Sequence, residues 1–423
     1  MIISKKYLIE PDEETLSNLW FVSDLCNEVW NAAVEQRLYK RNYSIDMYSQ
    51  KKELVAIKAD FPEYKIPSSQ VFQNLIIQLD KNFKYFYKCL RNADYSAKPP
   101  RYKSKKHFFT QTYNATNRGF FIEAGYLHVS YGLEAGSTLK IKLPDDAKNL
   151  TSLKELKIKQ DSSSGKFYAC ISYLYSEVEY TPNEHSIYFD PGCKTALTGI
   201  TTEGKFFEYD INHLRKINME TLIYIDKLKS ELSRKVKNSS RWNRINKKIK
   251  KAFSKIKTRT KMVLSRLANQ ILKDHPNIKQ FKIGDWSPNE TACKDSNKFK
   301  SRRINRAMLN NNPLTKLIKI LSYKAEMAGK KVSKFDERGT TRTCSMCGQK
   351  HTEGYSPEKR IFKCVDQIKC KFEYSRDHQS GLNFIKSNET ALWQSLVSDL
   401  PTSSKRTSIN AFSCRIQRTI TTL

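Results

Sequence analysis

At 423 residues the chain is long enough for several domains, each with its own core. Its 75 Lys and Arg against 43 Asp and Glu leave a formal charge of +32, an imbalance that a compact chain tolerates best with a polyanion bound to it. No apolar run approaches the ~18 residues of a membrane span. The start, MIISKKYLIE, lacks an apolar stretch followed by a small-residue cleavage site, so the expectation is a cytoplasmic protein that binds nucleic acid and no membrane.

The first residues, MIISKKYLI, read as a short strand. Pro11-Asp12-Glu13-Glu14 opens a helix with acids at its positive end, and Leu16, Leu19, Trp20, Cys26, Val29, Trp30, Ala33 and Val34 follow at helical spacing. A second helix begins after Pro67-Ser68-Ser69 and carries Val71, Phe72, Leu75, Ile76, Leu79, Phe83 and Phe86. The segment KPPRYKSKKHFF then interleaves Arg101, Lys103, Lys105 and Lys106 with aromatics, a pattern suited to gripping a phosphate backbone with aromatics free to stack. Residues 110–180 read as strands and turns, most clearly the hairpin LKELKIKQ and KFYACISYLY. Strand material on both sides of the helical segment makes the bundle an insertion into a β-domain.

From 186, SIYFDPGCKTALTGITTEGKFFEYD reads as three strands with tight turns. Residues 214–273 follow as long basic helices, with 15 Lys and Arg and one acid, Glu231, between Lys227 and Lys261. Leu228, Leu232, Val236, Ile245, Ile249, Phe253 and Ile256 form the stripe expected to be buried, which leaves Arg241, Arg244, Lys247, Lys248 and Lys251 for nucleic acid. A strand (IKQFKIGDW), a helix over Pro313–Ala328 ended by Gly329, a strand (KKVSKFDE) and a last helix opened by Arg376-Asp377 complete the pattern. The Ser/Thr-rich tail from 395 is expected to be poorly ordered.

Cys344, Cys347, Cys364 and Cys370 lie in two short knuckles, a spacing that suits four thiolates around one structural zinc, with His351 as a substitute for one of them. The other six cysteines are scattered singly and read as small apolar fillers. Asp190 closes the apolar run Ile187-Tyr188-Phe189. It suits the strand-one carboxylate of an RNase H-like sheet, or a turn position before Pro191-Gly192.

In order, FDPGCKTALTG, TTRTCSMCG and RDHQSGLNFI resemble the three-part signature of the TnpB family of transposon-encoded RNA-guided nucleases, related to compact type V CRISPR effectors. KPPRYKSKKHF resembles a further stretch of that family, and the similarity covers roughly residues 1–390. The resemblance implies an α+β multi-domain fold: a wedge-like β-barrel (1–10 and 96–180) around a helical bundle (11–95), then an RNase H-like (RuvC) nuclease domain. That domain takes residues 181–342 and 372–394, with basic helices at 211–275 and a zinc-binding insert at 343–371. The implied partners are a guide RNA and double-stranded target DNA, on which one or two copies of the chain assemble, and the implied catalytic cofactor is a pair of Mg²⁺ ions.

Asp190 matches the family's first catalytic Asp and Asp377 its last; Gln379 stands where an Asn is usual. Gly284 occupies the place of the middle acid, for which Asp285, Glu326 and Glu337 are the candidates. Asp285 points to the opposite strand face and Glu326 falls off its helix's apolar stripe, so the expected triad is Asp190, Glu337 and Asp377, with Asp285 as the remaining alternative. Besides a type V effector, the rival readings are a guided DNA-binding repressor without cleavage and a DNA-joining transposase.

Overall fold

The computed structural model describes residues 2–39, 45–134, 136–162, 164–176, 185–192, 195–285, 312–336, 339–351, 361–366, 368–370, 372–388, 393–394 and 416–419. The chain divides into two compact units, Met1–Ser176 and Glu177–Leu423.

In the first unit, β1 (Ile2–Ile9) is followed by α1 (Glu13–Tyr39), α2 (Met47–Asp60) and α3 (Ser69–Arg91). The strands β2 (Gln111–Asn114), β3 (Phe120–Glu123), β4 (Tyr126–Ser130), β5 (Thr138–Lys142), β6 (Leu153–Gln160) and β7 (Phe167–Leu174) come next. They build a four-stranded antiparallel sheet, β1-β7-β6-β2, and a three-stranded meander, β3-β4-β5. β1 pairs along its whole length with β7, so the helices are inserted into the sheet's chain path. The Asp12 carboxylate accepts from the Thr15 N–H at 2.7 Å and starts α1, as the acidic Pro-Asp-Glu-Glu run suggests. The sequence reading missed α2, which buries Gln50 and Leu54 alone and so carries no apolar stripe to announce it. Asp46 caps it by accepting from the Ser49 N–H at 2.8 Å.

The second unit opens with a meander, β8 (Ser186–Pro191), β9 (Leu197–Thr201) and β10 (Phe206–Asp210). The helical hairpin α4 (Asn212–Ser233) and α5 (Ser240–Asp274) follows, then β11 (Gln280–Gly284), α6 (Leu314–Met327) and β12 (Lys331–Phe335). The short pair β13 (Ile361–Lys363) and β14 (Glu373–Ser375), α7 (Arg376–Asn388) and β15 (Ile416–Thr419) complete it. The six-stranded sheet runs β12-β11-β8-β9-β10-β15, with β8, β11 and β12 mutually parallel. β15 lies in the Ser/Thr-rich tail, and its four residues pair in parallel with the otherwise free edge of β10, where unpaired N–H and C=O groups invite a strand.

Ile187 and Phe189 point into a core shared with α5 and α6, whereas Tyr188 points into a second core shared with α7. Burial on both faces explains why β8 reads as an unbroken apolar run. In the hairpin the buried stripe is Ile225, Leu228, Ile245, Ile249 and Ala252, with Leu232 and Ile256 half-buried. Two expected members are exposed. Val236 lies beyond the end of α4 and is 80 % exposed, and Phe253 gives its inward place to Ala252.

Lys330 is buried behind β11, where its ammonium donates to the carbonyls of His275, Pro276 and Ile278 and closes the end of α5. Beside it, His275 Nε2 lies 3.0 Å from the Tyr209 hydroxyl, and burial pushes the imidazole's pKa down to about 4. The folded state therefore holds His275 neutral while the unfolded chain takes a proton below about pH 6.5, so this contribution is complete above that pH and is lost as pH falls toward 4. Thermal melting is expected to show the second unit losing up to about 3 kcal/mol over that window. His275→Phe should flatten the slope between pH 6.5 and 4.

Candidate functional site

Strand alternation decides which side chains meet on the α7 face of the second sheet. Tyr188 faces α7, so Asp190, two residues on, points to the same side at the end of β8. Asp190 pairs with Thr198 of β9, and Thr198 pairs with Glu208 of β10. On the other side, Phe189 pairs with Ile283, which sets Gly284 level with Asp190, and Gly284 pairs with Phe335. One row thus runs Glu208, Thr198, Asp190, Gly284, Phe335 across five strands.

α7 packs on β8 and β9, and Gly381 lets it come close: a Cβ there would lie 3.2 Å from Ile200 Cγ2 and 3.4 Å from the Phe206 ring. The helix begins with Arg376 and Asp377, and the guanidinium donates to the Asp377 carboxylate at 3.0 and 3.2 Å. Asp190 and Asp377 are both partly exposed. Asp285 is exposed on the opposite face, where its carboxylate accepts from Lys334 at 2.6 Å. Glu326 is exposed on α6. Glu337 lies outside the described residues.

The four cysteines converge. Cys344 and Cys370 Sγ atoms are 3.7 Å apart, Cys347 and Cys364 Sγ atoms 3.5 Å, and all four lie within 4.8 Å of one another. Tetrahedral bonds of about 2.3 Å require sulfur separations of about 3.8 Å, so the donor set fits one divalent ion. Gly348, with φ +78°, supplies the left-handed turn that closes the first knuckle. His351, the expected substitute for one thiolate, does not join this group, and its Nε2 lies 2.7 Å from the Lys363 carbonyl oxygen. Burial pushes the Cys344 thiol up to about 11 and raises Cys364 as well. Burial also opposes ionisation of Cys347, but the Gln349 N–H and the Cys364 thiol bring it down. Among the described residues this is the one group of three or more ligand-type side chains close enough to hold a metal.

The polar face of α7 ties this centre to the sheet. Gln379 donates to the Thr343 carbonyl, Asn383 to the carbonyls of Thr340 and Thr343, and Lys386 to that of Ser345 at 2.8 Å. Gln379, two residues after Asp377, therefore serves the knuckle. None of these contacts was read from the sequence; buried polar residues at Gln379, Ser380 and Asn383 inside an apolar pattern were the available signal.

The two basic segments differ. Arg241, Arg244, Lys247, Lys248 and Lys251 are exposed along α5, and none is paired with an acid among the described residues. Two of these cations stand in the first turns of α5, which contains no acid in its first turn, an arrangement opposed by the helix dipole unless an anion sits there. In the first unit, Arg101, Lys105 and Lys106 are exposed on a segment strapped to α1. Trp30 donates to the Arg101 carbonyl at 2.9 Å, Asn31 to that of Lys103 and Asn27 to that of His107, each at 2.9 Å. Lys103 is drawn over the Trp30 ring, 5.5 Å from its centroid. Phe108 and Phe109 pack on Trp20 and Trp30, which corrects the expectation that these rings are free to stack. Ser23, Asn27 and Asn31, spaced by four along α1, were the sequence signal for this strap.

The family model described as Cas12f1-like, TNB domain matches residues 315–384. A putative transposase, R186, of Acanthamoeba polyphaga mimivirus is 27% identical over 243 residues, 56% of this chain and 47% of the relative. The CRISPR-associated endodeoxyribonuclease Cas12f2 of a Micrarchaeota archaeon (strain CG1_02_47_40) is 26% identical over 235 residues, 53% of this chain and 40% of the relative. The chain spans about half the length of these curated relatives, or less. A solved Cas12f1–sgRNA–target DNA complex shares the fold, with a TM-score of 0.58 at 13% identity over 89% of this chain and 83% of that one. No helix among the described residues is long and apolar enough to cross a membrane.

Stripping the four-cysteine centre with a chelator is expected to loosen the knuckle and α7 together, read as new hydrogen exchange over residues 339–351 and 372–388. Cys347→Ser should weaken metal retention by more than the roughly 10–100-fold typical of losing one supporting hydrogen bond. Because the raised thiols hold their protons when no metal is bound, retention should also fall as pH drops below neutral.

Proposed function

We propose that the chain is an RNA-guided DNA endonuclease with an RNase H-like (RuvC) active site. The observation that carries this is Asp190, at the end of the inner strand β8 and on the face covered by the helix that opens with Asp377. The order β10-β9-β8-β11-β12 suits that fold, and the TM-score of 0.58 to a Cas12f1 complex supports it. In this reading residues 181–342 and 372–394 form the nuclease domain, 343–371 is its zinc insert, and the two sheets of the first unit form the wedge-like barrel.

Asp190, Glu337 and Asp377 would hold Mg²⁺, which when bound supplies a reactive hydroxide and stabilises the leaving oxygen of a phosphodiester. Gly284 leaves its place in the row without a side chain, between Asp190 and Phe335. An acid from the β12 side can serve where Gly284 cannot, and in this reading that role falls to Glu337. Arg376 orients the Asp377 carboxylate through two hydrogen bonds. The cations of α5 hold the phosphate backbone of guide or target, and base pairing with the guide selects the sequence. Zinc, held by four protein ligands, is structural in this scheme.

The deciding experiment is cleavage of a plasmid library with randomised flanks, using protein co-expressed with RNA from its own locus. Asp190→Ala, Glu337→Ala and Asp377→Ala are each expected to lower the cutting rate by on the order of 10³-fold or more, from the several kcal/mol a bound metal contributes. Guided binding without any cut by the wild-type chain would favour a DNA-binding repressor, the reading that Gly284 keeps open. Replacing Arg241, Arg244 and Lys247 by Gln should weaken nucleic-acid binding and lower the log–log salt slope by about 0.7–0.9 for each phosphate no longer neutralised.

A further inference from the structure

The row that carries Asp190 also carries Glu208, and Glu208 is bound to α7. Its Oε1 lies 3.0 Å from His378 Nε2, with the two side chains only 11% and 9% exposed. The imidazole is stacked on Phe206, 4.3 Å between centroids and 20° between planes, and Tyr374 closes in at 5.9 Å. His378 directly follows Asp377, so this contact fixes the first turn of α7 in the frame of the sheet. Cross-strand pairing fixes the other end of that frame, since Glu208 and Asp190 both pair with Thr198.

A buried polar pair is a costly way to fasten a helix, because well-packed apolar residues of similar volume often hold as well or better. What the pair adds is direction. A hydrogen bond of 3.0 Å between a ring and a carboxylate tolerates little rotation of the helix, whereas an apolar contact tolerates more. We propose that Glu208 and His378 are positioning residues that hold Asp377 in register with Asp190, so that the two carboxylates meet one divalent ion. This rests on the nuclease reading and names no role for the pair in the chemistry itself.

Mn²⁺ binding, followed by its paramagnetic resonance signal on the zinc-loaded full chain, tests the proposal without requiring cleavage. Glu208→Gln keeps the reach of the side chain and removes its charge, whereas Glu208→Asp keeps the charge and shortens the reach by one methylene. Positioning predicts that the Gln variant binds Mn²⁺ within about twofold of wild type and the Asp variant at least tenfold more weakly, with both fully folded at the assay temperature. Unchanged affinity in both variants would reduce the pair to packing, and weak binding by Gln with normal binding by Asp would make it an electrostatic effect; either result overturns the proposal. Asp190→Ala is the control. If it leaves Mn²⁺ binding intact, the nuclease reading fails and this inference fails with it. If it abolishes binding while both Glu208 variants are normal, the positioning role alone fails.

Discussion

The register of β8 is the constraint on which the second unit depends. Ile187 and Phe189 are fully buried on one face and Tyr188 on the other, and the strand is paired on both sides, in parallel with β11 and antiparallel with β9. A slip of one residue would send Asp190 to the α5 and α6 side and put Phe189 where the carboxylate belongs. Gly199 helps to fix this register, since a Cβ there would lie 2.8 Å from the Phe189 ring and 3.1 Å from Ile187 Cδ1. Packing on one face thus determines where an acid stands on the other.

α7 converts that register into a connection. Its apolar residues Leu382, Phe384 and Ile385 join Tyr188 and Phe206 in the core, while Gln379 and Asn383 hold the carbonyls of the segment entering the first knuckle. Asp377, the sheet and the four-cysteine centre are therefore joined through one helix of 13 residues. Disturbance of the four-cysteine centre reaches the helix through hydrogen bonds to backbone carbonyls, which a side-chain substitution in the knuckle does not remove.

Much of the architecture was legible because periodicity and punctuation agreed. Asp12 and Gly329 mark helix ends, and the unbroken Ile187–Phe189 run marks a strand buried on both faces. The cysteine spacing foretold that four sulfurs would converge. What escaped were features set by partners distant in sequence. α2 has almost no buried face of its own, and β15 follows a Ser/Thr-rich tail that composition assigned to disorder. The Glu208–His378 contact joins residues 170 apart, and a lone buried His gives no sign of its partner. The basic aromatic segment misled differently: its cations and rings were read together, but α1 takes Phe108 inward and leaves Lys105 and Lys106 outside.

That separation bears on how so basic a chain folds at all. The α4–α5 hairpin buries a narrow stripe, with Ile225, Leu228, Ile245, Ile249 and Ala252 meeting across it, and outside that stripe the stretch Arg241–Lys261 of α5 is largely Lys and Arg. Asn218 donates to the Thr260 hydroxyl inside the same seam and so fixes how the helices align. Such a seam is strong enough to hold two helices but does nothing to relieve repulsion along their outer face, which ionic screening reduces only beyond about 8–10 Å. The repulsion is largest where Arg241 and Arg244 stand at the positive end of α5. A bound phosphate backbone would relieve the helix dipole and the crowded cations together, so the same residues that burden the free protein would stabilise it with a polyanion bound.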